Sequence, residues 1–232
     1  HPCKQSVMEH LHELSDAARA LGAVNCVVIR EDGTFYGDNT DYSGFIAGLK
    51  RGLPQVAENP ARLEHVVQLG AGGAGSATAY ALCRLGVRRL SLFERDAAKA
   101  QELAEQLGGL FPQTRVEVLT DDERLIEALL QAQGLVNATP VGMHVHPGMP
   151  LSESALSAGV LREGLWVADV IYLPQQTQLV RAARAAGCEV LTGGYMAVGQ
   201  AVDAFRLFTG LEPNAERMAA HFEVLIAAQQ GA

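Results

Sequence analysis

Val66-Val67-Gln68-Leu69-Gly70-Ala71-Gly72-Gly73-Ala74-Gly75 is the stretch from which the rest of the chain can be read. An apolar run of strand length leads directly into G-x-G-x-x-G. Glycines at these positions permit a tight turn and let backbone N–H groups and a helix N-terminus approach a pyrophosphate, whose negative charge the helix dipole favours. A hexad alone is weak, since glycines also make plain tight turns. Here it lies between a strand and a helix, and the next strand pattern, residues 89–93, ends in Glu94, 24 positions after Gly70. A carboxylate at that place accepts hydrogen bonds from both ribose hydroxyls of an adenosine half. Gly70, Ala71, Gly72, Gly73, Ala74, Gly75 and Glu94 are therefore expected to bind a dinucleotide. Glu94 would repel a 2′-phosphate, which favours NAD over NADP. Arg95 could stack on adenine or pair with a phosphate if Glu94 turned away, and Asp96 beside it argues against that.

On the C-terminal side, strand patterns at 65–69, 89–93, 115–119, 135–138, 165–171 and 189–191 alternate with helical ones after Gly72 and at 97–107, 122–131 and 175–186. Parallel neighbours need crossovers, usually helices, so the alternation implies an α/β fold with a doubly wound parallel (Rossmann) sheet. Two helices, 196–209 and 214–229, close the chain. On the N-terminal side, Val7, Leu11 and Leu14 are spaced for a helix over 2–14, and Ser15-Asp16 caps a short helix ending at Gly22. Segments 24–30 and 34–36 read as a hairpin turning at Gly33. A further helix runs from Asp41 to about Arg51, and the Pro-containing stretch 54–62 reads as a linker. The division expected is a small α/β substrate lobe over 1–41, a dinucleotide-binding domain over 42–195, and helices over 196–232 returning to the small lobe.

The chain has 232 residues, 48% hydrophobic and 19% charged, with a formal net charge of -8. That composition suits a packed core and excludes disorder, coiled coil and disulfide scaffold. Scattered basic residues on an acidic chain make nucleic acid and anionic membranes poor partners. No apolar run reaches the ~20 residues of a membrane span. Cys3, Cys26, Cys83 and Cys188 lie far apart without C-x-x-C, which reads as reduced and cytoplasmic, with neither disulfide nor zinc. His1-Pro2 at the start, without Met, reads as the middle of a longer chain.

A second constellation lies outside the glycine turn: Lys4 within His1-Pro2-Cys3-Lys4-Gln5, Asn25 within Gly22-Ala23-Val24-Asn25, and Asp41 within Asp38-Asn39-Thr40-Asp41. A lysine, an aspartate and amides are what a polyhydroxylated acid needs for hydrogen bonding and proton transfer. Spacing alone equally allows a surface lysine, a hairpin amide and a helix cap.

These stretches, with Gly44-Phe45, Asn137-Ala138-Thr139-Pro140-Val141-Gly142-Met143, residues 169–174 (Asp-Val-Ile-Tyr-Leu-Pro), Thr177, and Gly194-Tyr195-Met196 leading to Gln200, resemble the shikimate dehydrogenases in order across nearly the whole chain. His-Pro-Cys-Lys-Gln and residues 201–210 look most like the NAD-dependent quinate/shikimate branch. The biosynthetic branch typically carries Asn-Arg-Thr where this chain has Glu94-Arg95-Asp96. The resemblance implies reversible oxidation of quinate or shikimate to the 3-dehydro acid with NAD. Lys4 and Asp41 would be the catalytic pair, with Asn25, Tyr172 and Gln200 on the substrate. Asn137 and Thr139 would line the cofactor cleft, and Gly194 and Met196 would bound the nicotinamide. The partner implied is a small-molecule substrate, with a homodimer left open. The family has about sixty further upstream residues, including a strand and a Ser-rich carboxylate grip, so the small lobe is expected to be N-terminally truncated. Rivals are a two-lobe dehydrogenase for another cyclic substrate, such as aminoquinate or a folate, and a non-catalytic dinucleotide-binding regulator; Lys4 together with Asp41 argues against the latter.

Other conspicuous residues are assigned plainer roles. His144 and His146 lack a third ligand nearby, so no metal is expected. Ser76 lacks the G-x-S-x-G of a nucleophile and reads as a helix-start residue. Trp166, in an apolar strand pattern, belongs to the core.

Overall fold

The apolar runs of the sequence become two sheets in the computed structural model, which describes residues 3–230. In chain order the elements are β1 Glu13–Leu14, α1 Asp16–Leu21, β2 Cys26–Ile29, β3 Phe35–Asp38, α2 Asp41–Gly52, α3 Pro54–Ala57, β4 His65–Leu69, α4 Gly73–Arg84, β5 Arg89–Phe93, α5 Ala97–Leu110 and β6 Arg115–Leu119. Then follow α6 Asp122–Gln131, β7 Gly134–Asn137, α7 Glu153–Ser157, β8 Trp166–Asp169, α8 Gln178–Ala185, β9 Glu189–Leu191, α9 Gly193–Thr209 and α10 Ala215–Gln230. The larger sheet has order β6-β5-β4-β7-β8-β9, every pair parallel, with the reversal of direction beside β4. Strands covered on both faces carry mostly apolar side chains, and β4, β7 and β8 are buried along their whole length. One face packs Val66, Leu90 and Trp166 under α2, α4 and α5, and the other packs Val67, Leu135 and Val167 under α6 and α8. Trp166 is fully buried and fills the space over Gly134, where a Cβ would meet its ring at 2.2 Å. Core is indeed its role.

The smaller sheet has order β1-β3-β2, with β2 and β3 antiparallel about Gly33 and β1 parallel to β3. The helix expected over 2–14 is not formed. A single 3-10 turn, Ser6–His10, is followed by extended backbone, and Glu13 and Leu14 pair with Tyr36 and Gly37. Three helically spaced apolar residues are marginal alone, whereas Leu11 and Leu14 pack against the bare Cα of Gly37 only from an extended chain. Pro2, expected at the helix start, lies outside the described residues. The stretch expected as a linker is also ordered: α3 and a 3-10 turn, Pro60–Leu63, bury Val56 and Leu63. No helix of the described residues is long and apolar enough to cross a membrane.

Two close helix crossings carry the chain between the sheets. α2 leaves β3 and packs against α4 and α9. A Cβ on Gly44 would lie 2.5 Å from the Gln200 nitrogen, and one on Gly199 would lie 2.6 Å from the Gly44 carbonyl oxygen, so α2 and α9 touch backbone to backbone. That contact fixes Gln200 beside the start of α2.

Candidate active site

Lys4 is anchored by its own carbonyl, which accepts from Val24 N at 2.8 Å. Its Nζ lies 2.5 Å from Asp41 Oδ2, and both side chains are largely buried. Asp41 opens α2, where the exposed amides of a helix start favour a carboxylate. Its other oxygen, Oδ1, accepts from Asn25 Nδ2 at 2.9 Å, and Asn25 Oδ1 accepts from Thr40 N at 2.8 Å. Buried Asn39 completes the frame, donating to Ala23 O and accepting from Asp41 N, both at 3.0 Å. Gln200 Oε1 lies 3.5 Å from the Thr40 hydroxyl, and Gln200 Nε2 donates to Ala197 O at 3.1 Å. Lys4, Asn25, Asp41 and Gln200, expected to act together, thus converge around Thr40. Asn39 and Thr40 were visible in the sequence only as neighbours of Asp41; their signal is the polar run just before a helix. Cys26 Sγ sits 3.7 Å from Thr40 Oγ1, and burial pushes its thiol up, leaving it a neutral packing group.

Lys4 and the glycine turn face one another across a cleft of about 840 Å³, lined by Lys4, Ala23, Gly72, Gly73, Ser76 and Lys99 among others. Gly70 has φ +94°, which frees the chain to leave β4 and re-enter as α4. Side chains at Gly72 or Gly73 would project into open space, so the backbone is bare where a ligand would approach. The first-turn amides of α4 have no intrahelical partners and are donors for a pyrophosphate. Glu94 Oε2 accepts from Ala71 N at 2.8 Å and Oε1 from Arg95 N at 2.7 Å, fixing the carboxylate at the rim of the turn with acceptor sites to spare. The Arg95 side chain is exposed. The site therefore fits a dinucleotide. Ser76 donates its backbone N–H to Gly72 O as a helix-start residue.

The loop after β7 reaches the glycine turn, where a Cβ on Gly70 would lie 2.9 Å from Ala138 O, and it is tied to the loop after β8 by Asp169. Its Oδ1 accepts from Asn137 Nδ2 and Ile171 N, both at 3.1 Å, and its Oδ2 accepts from Thr177 Oγ1 at 2.7 Å. Burial raises the Asp169 carboxyl to about 6, against the pull of those three donors. Asn137 was expected to line the cleft. It is fully buried, with Oδ1 accepting from Thr139 Oγ1 at 2.7 Å, so it supports the loop that carries half-buried Thr139. Gly194, expected at the nicotinamide, faces α10: a Cβ there would lie 2.7 Å from Phe222 Cε1. Met196 is nearly buried within the main core. Gly193, which the sequence reading passed over, has the tighter constraint, since a Cβ would lie 2.3 Å from Val170 O in the β8 loop. Tyr172 is half exposed on that loop, its ring 6.4 Å from Phe222. Among the described residues, no group of three or more His, Cys, Asp or Glu could hold a metal ion.

Residues 195–221 match the family described as Shikimate 5'-dehydrogenase C-terminal domain. The chain is 56% identical over 230 residues to a shikimate dehydrogenase (NADP(+)) from an Arthrobacter species, covering 99% of this chain and 74% of that protein. This chain belongs to the shikimate/quinate dehydrogenase family. Another family relative, the quinate/shikimate dehydrogenase (NAD(+)) of Corynebacterium efficiens, is 49% identical over 222 residues, 96% of this chain and 74% of its own. The solved structure of quinate dehydrogenase from Corynebacterium glutamicum in complex with NAD superposes with a TM-score of 0.87 at 46% identity, covering 97% of this chain and 76% of that one. Family membership accounts for the pairing of a parallel six-stranded sheet with a smaller three-stranded one.

Proposed function

We propose that this member of the shikimate/quinate dehydrogenase family catalyses reversible oxidation of quinate or shikimate to the 3-dehydro acid with NAD. It is an oxidoreductase using a nicotinamide dinucleotide. The observation that carries the finer reading is that Lys4, bonded to Asp41 and through it to Asn25, lines the same cleft as the bare backbone of Gly72 and Gly73. Oxidation of a ring hydroxyl requires its proton to leave as hydride departs, and the nicotinamide supplies the hydride acceptor when bound. Lys4 Nζ and Asp41 Oδ2, 2.5 Å apart, form the relay that takes and passes that proton. Asn25 and Gln200 bind the neighbouring ring hydroxyls, and Tyr172 reaches the substrate from the β8 loop. The glycine turn holds the pyrophosphate, and Thr139 borders the cofactor cleft. Residues 1–41 with 196–232 serve as the substrate lobe and 42–195 as the dinucleotide-binding domain.

The choice of NAD rests on Glu94. Its carboxylate, pinned by Ala71 N and Arg95 N, stands where a 2′-phosphate would meet like charge. The Arthrobacter relative is named for NADP(+) and the Corynebacterium relative for NAD(+), so cofactor preference is the part of the reading to test first. Titrating the purified protein with each dinucleotide, then following nicotinamide absorbance with quinate, shikimate, lactate and malate, tests both halves. Tighter NAD binding and turnover of only the cyclic acids is the expected result. Equal affinity for the two dinucleotides would remove the cofactor assignment. Lactate or malate turning over like quinate would remove the substrate assignment, because a site built to bind vicinal hydroxyls should reject acids that lack them.

A further inference from the structure

Gln68 is an unexpected residue for the centre of a buried parallel strand. It is fully buried in β4, and a primary amide there is costly unless every polar atom is paired. All of them are. Its Nε2 donates one proton to Gly70 O at 2.9 Å and the other to Gly75 O at 2.8 Å, while Oε1 accepts from the Thr78 hydroxyl at 2.8 Å. Thr78 lies in α4 and is itself fully buried. The first and last glycines of the turn meet at this point: a Cβ on Gly75 would sit 2.3 Å from Gly70 O and 3.4 Å from Gln68 Nε2. The amide therefore clasps both ends of the turn from beneath.

Two consequences for an anion follow. Both carbonyls are drawn inward, so the turn presents N–H groups, and not carbonyl dipoles, to the cleft. Their negative ends are also met by N–H donors, which removes repulsion that would otherwise act on a pyrophosphate in a water-poor site. We infer that Gln68 and Thr78 are positioning residues for the dinucleotide, holding the glycine turn in its pyrophosphate-binding shape without touching the ligand. This rests on the reading of the turn as the dinucleotide site.

The test uses Gln68→Met, which keeps the chain length and removes the amide, and the pair Thr78→Val, which deletes the hydroxyl at similar volume, and Thr78→Ser, which keeps the hydroxyl and removes only a methyl. NAD and ADP-ribose affinities are measured by calorimetry, with thermal midpoints and the steady-state KM for quinate at saturating NAD alongside. Gln68→Met is expected to weaken NAD and ADP-ribose about equally, tenfold or more, and Thr78→Val several-fold, while Thr78→Ser stays near the parent. The KM for quinate should move less than threefold. NAD affinity within threefold of the parent in both Gln68→Met and Thr78→Val would overturn the clasp, as would a loss shared equally by the KM for quinate, which marks general loosening. Should Gln68→Met not fold, the contrast between Val and Ser at position 78 decides alone. A parent that bound neither NAD nor ADP-ribose would overturn the dinucleotide reading and the clasp together, whereas a binding parent with equally binding variants overturns only the clasp.

Discussion

Replacing Gly199 by Ala sets two opposing effects against each other in α9. In an unobstructed helix interior the change should stabilise by up to about 1 kcal/mol, because glycine loses more backbone entropy on folding. Gly199 is obstructed by backbone. An added Cβ would lie 2.6 Å from Gly44 O and 2.9 Å from Gly44 Cα, against the roughly 3.5 Å at which non-bonded heavy atoms pack well. No side chain can rotate away, so α2 and α9 must separate by something near 1 Å. Overpacking of this kind costs about 1–3 kcal/mol, which offsets the propensity gain and leaves a net loss of up to about 2 kcal/mol. Function should suffer more. Gln200 Oε1 and Thr40 Oγ1, already 3.5 Å apart, would part, and a 1 Å misplacement of a substrate-binding group can cost about 10²-fold in rate. Gly199→Ala should therefore lower kcat/KM for quinate at least tenfold and leave NAD affinity unchanged, since the glycine turn lies on β4 and α4. Gly108→Ala in α5, where a Cβ meets nothing within 4 Å, is the control and should be neutral or stabilising. Denaturant unfolding and steady-state kinetics of both variants decide. A Gly199→Ala protein more stable than the parent with unaltered kinetics would refute the argument that backbone contact at this crossing seats Gln200.

Lys4→Ala should lower kcat roughly 10²- to 10⁴-fold without weakening NAD, the range general acid–base assistance is worth, and adding Asp41→Asn should cost less than the product of the single losses because the two groups act as one; a kcat within threefold of the parent would return Lys4 to a surface role. Glu94→Gln should narrow the preference for NAD over NADP roughly 5- to 150-fold, equivalent to ~1–3 kcal/mol of removed repulsion, as read by paired calorimetric titrations. Burial, with a smaller push from Arg89, lowers His65 to about 4 while its Nε2 bonds Ser91 Oγ at 2.8 Å. The unfolded chain therefore binds more protons between about pH 6.5 and 4, and this group's stabilisation is lost as pH falls through that window, on the order of 3 kcal/mol in all. A His65→Gln protein should gain on the parent by that amount between pH 7 and pH 4 in denaturant unfolding. Asp169 has the opposite sign: raised to about 6, it is held partly protonated in the folded state, so its contribution falls as pH rises from about 4 to 6, and Asp169→Asn should flatten that slope.

The parallel sheet was legible in the sequence because its causes are local. Strand-length apolar runs alternate with helical periodicity, and β4, β5 and β6 begin and end where the pattern does. The glycine turn was legible for the same reason: its chemistry lies in six consecutive residues and one carboxylate at the next strand's end. Residues 2–14 were misread because Val7, Leu11 and Leu14 satisfy a helical spacing, and only the pairing of Glu13 and Leu14 with β3 reveals that the chain is extended there. The substrate end of the site was named residue by residue through family resemblance, yet its assembly belongs to the tertiary structure. Lys4 and Asp41 are 37 positions apart and Thr40 and Gln200 are 160, so no local pattern encodes their contact. What brings Gln200 to Thr40 is the bare backbone of Gly44 and Gly199 at a helix crossing, Lys4 is held in place through Val24 N, and what ties the loops after β7 and β8 together is Asp169, buried among Asn137 and Thr177. Local sequence determines which elements form, because hydrogen bonding and periodicity act over a few residues. Which side chains meet depends on how closely those elements can pack, and that is decided only when the whole core closes.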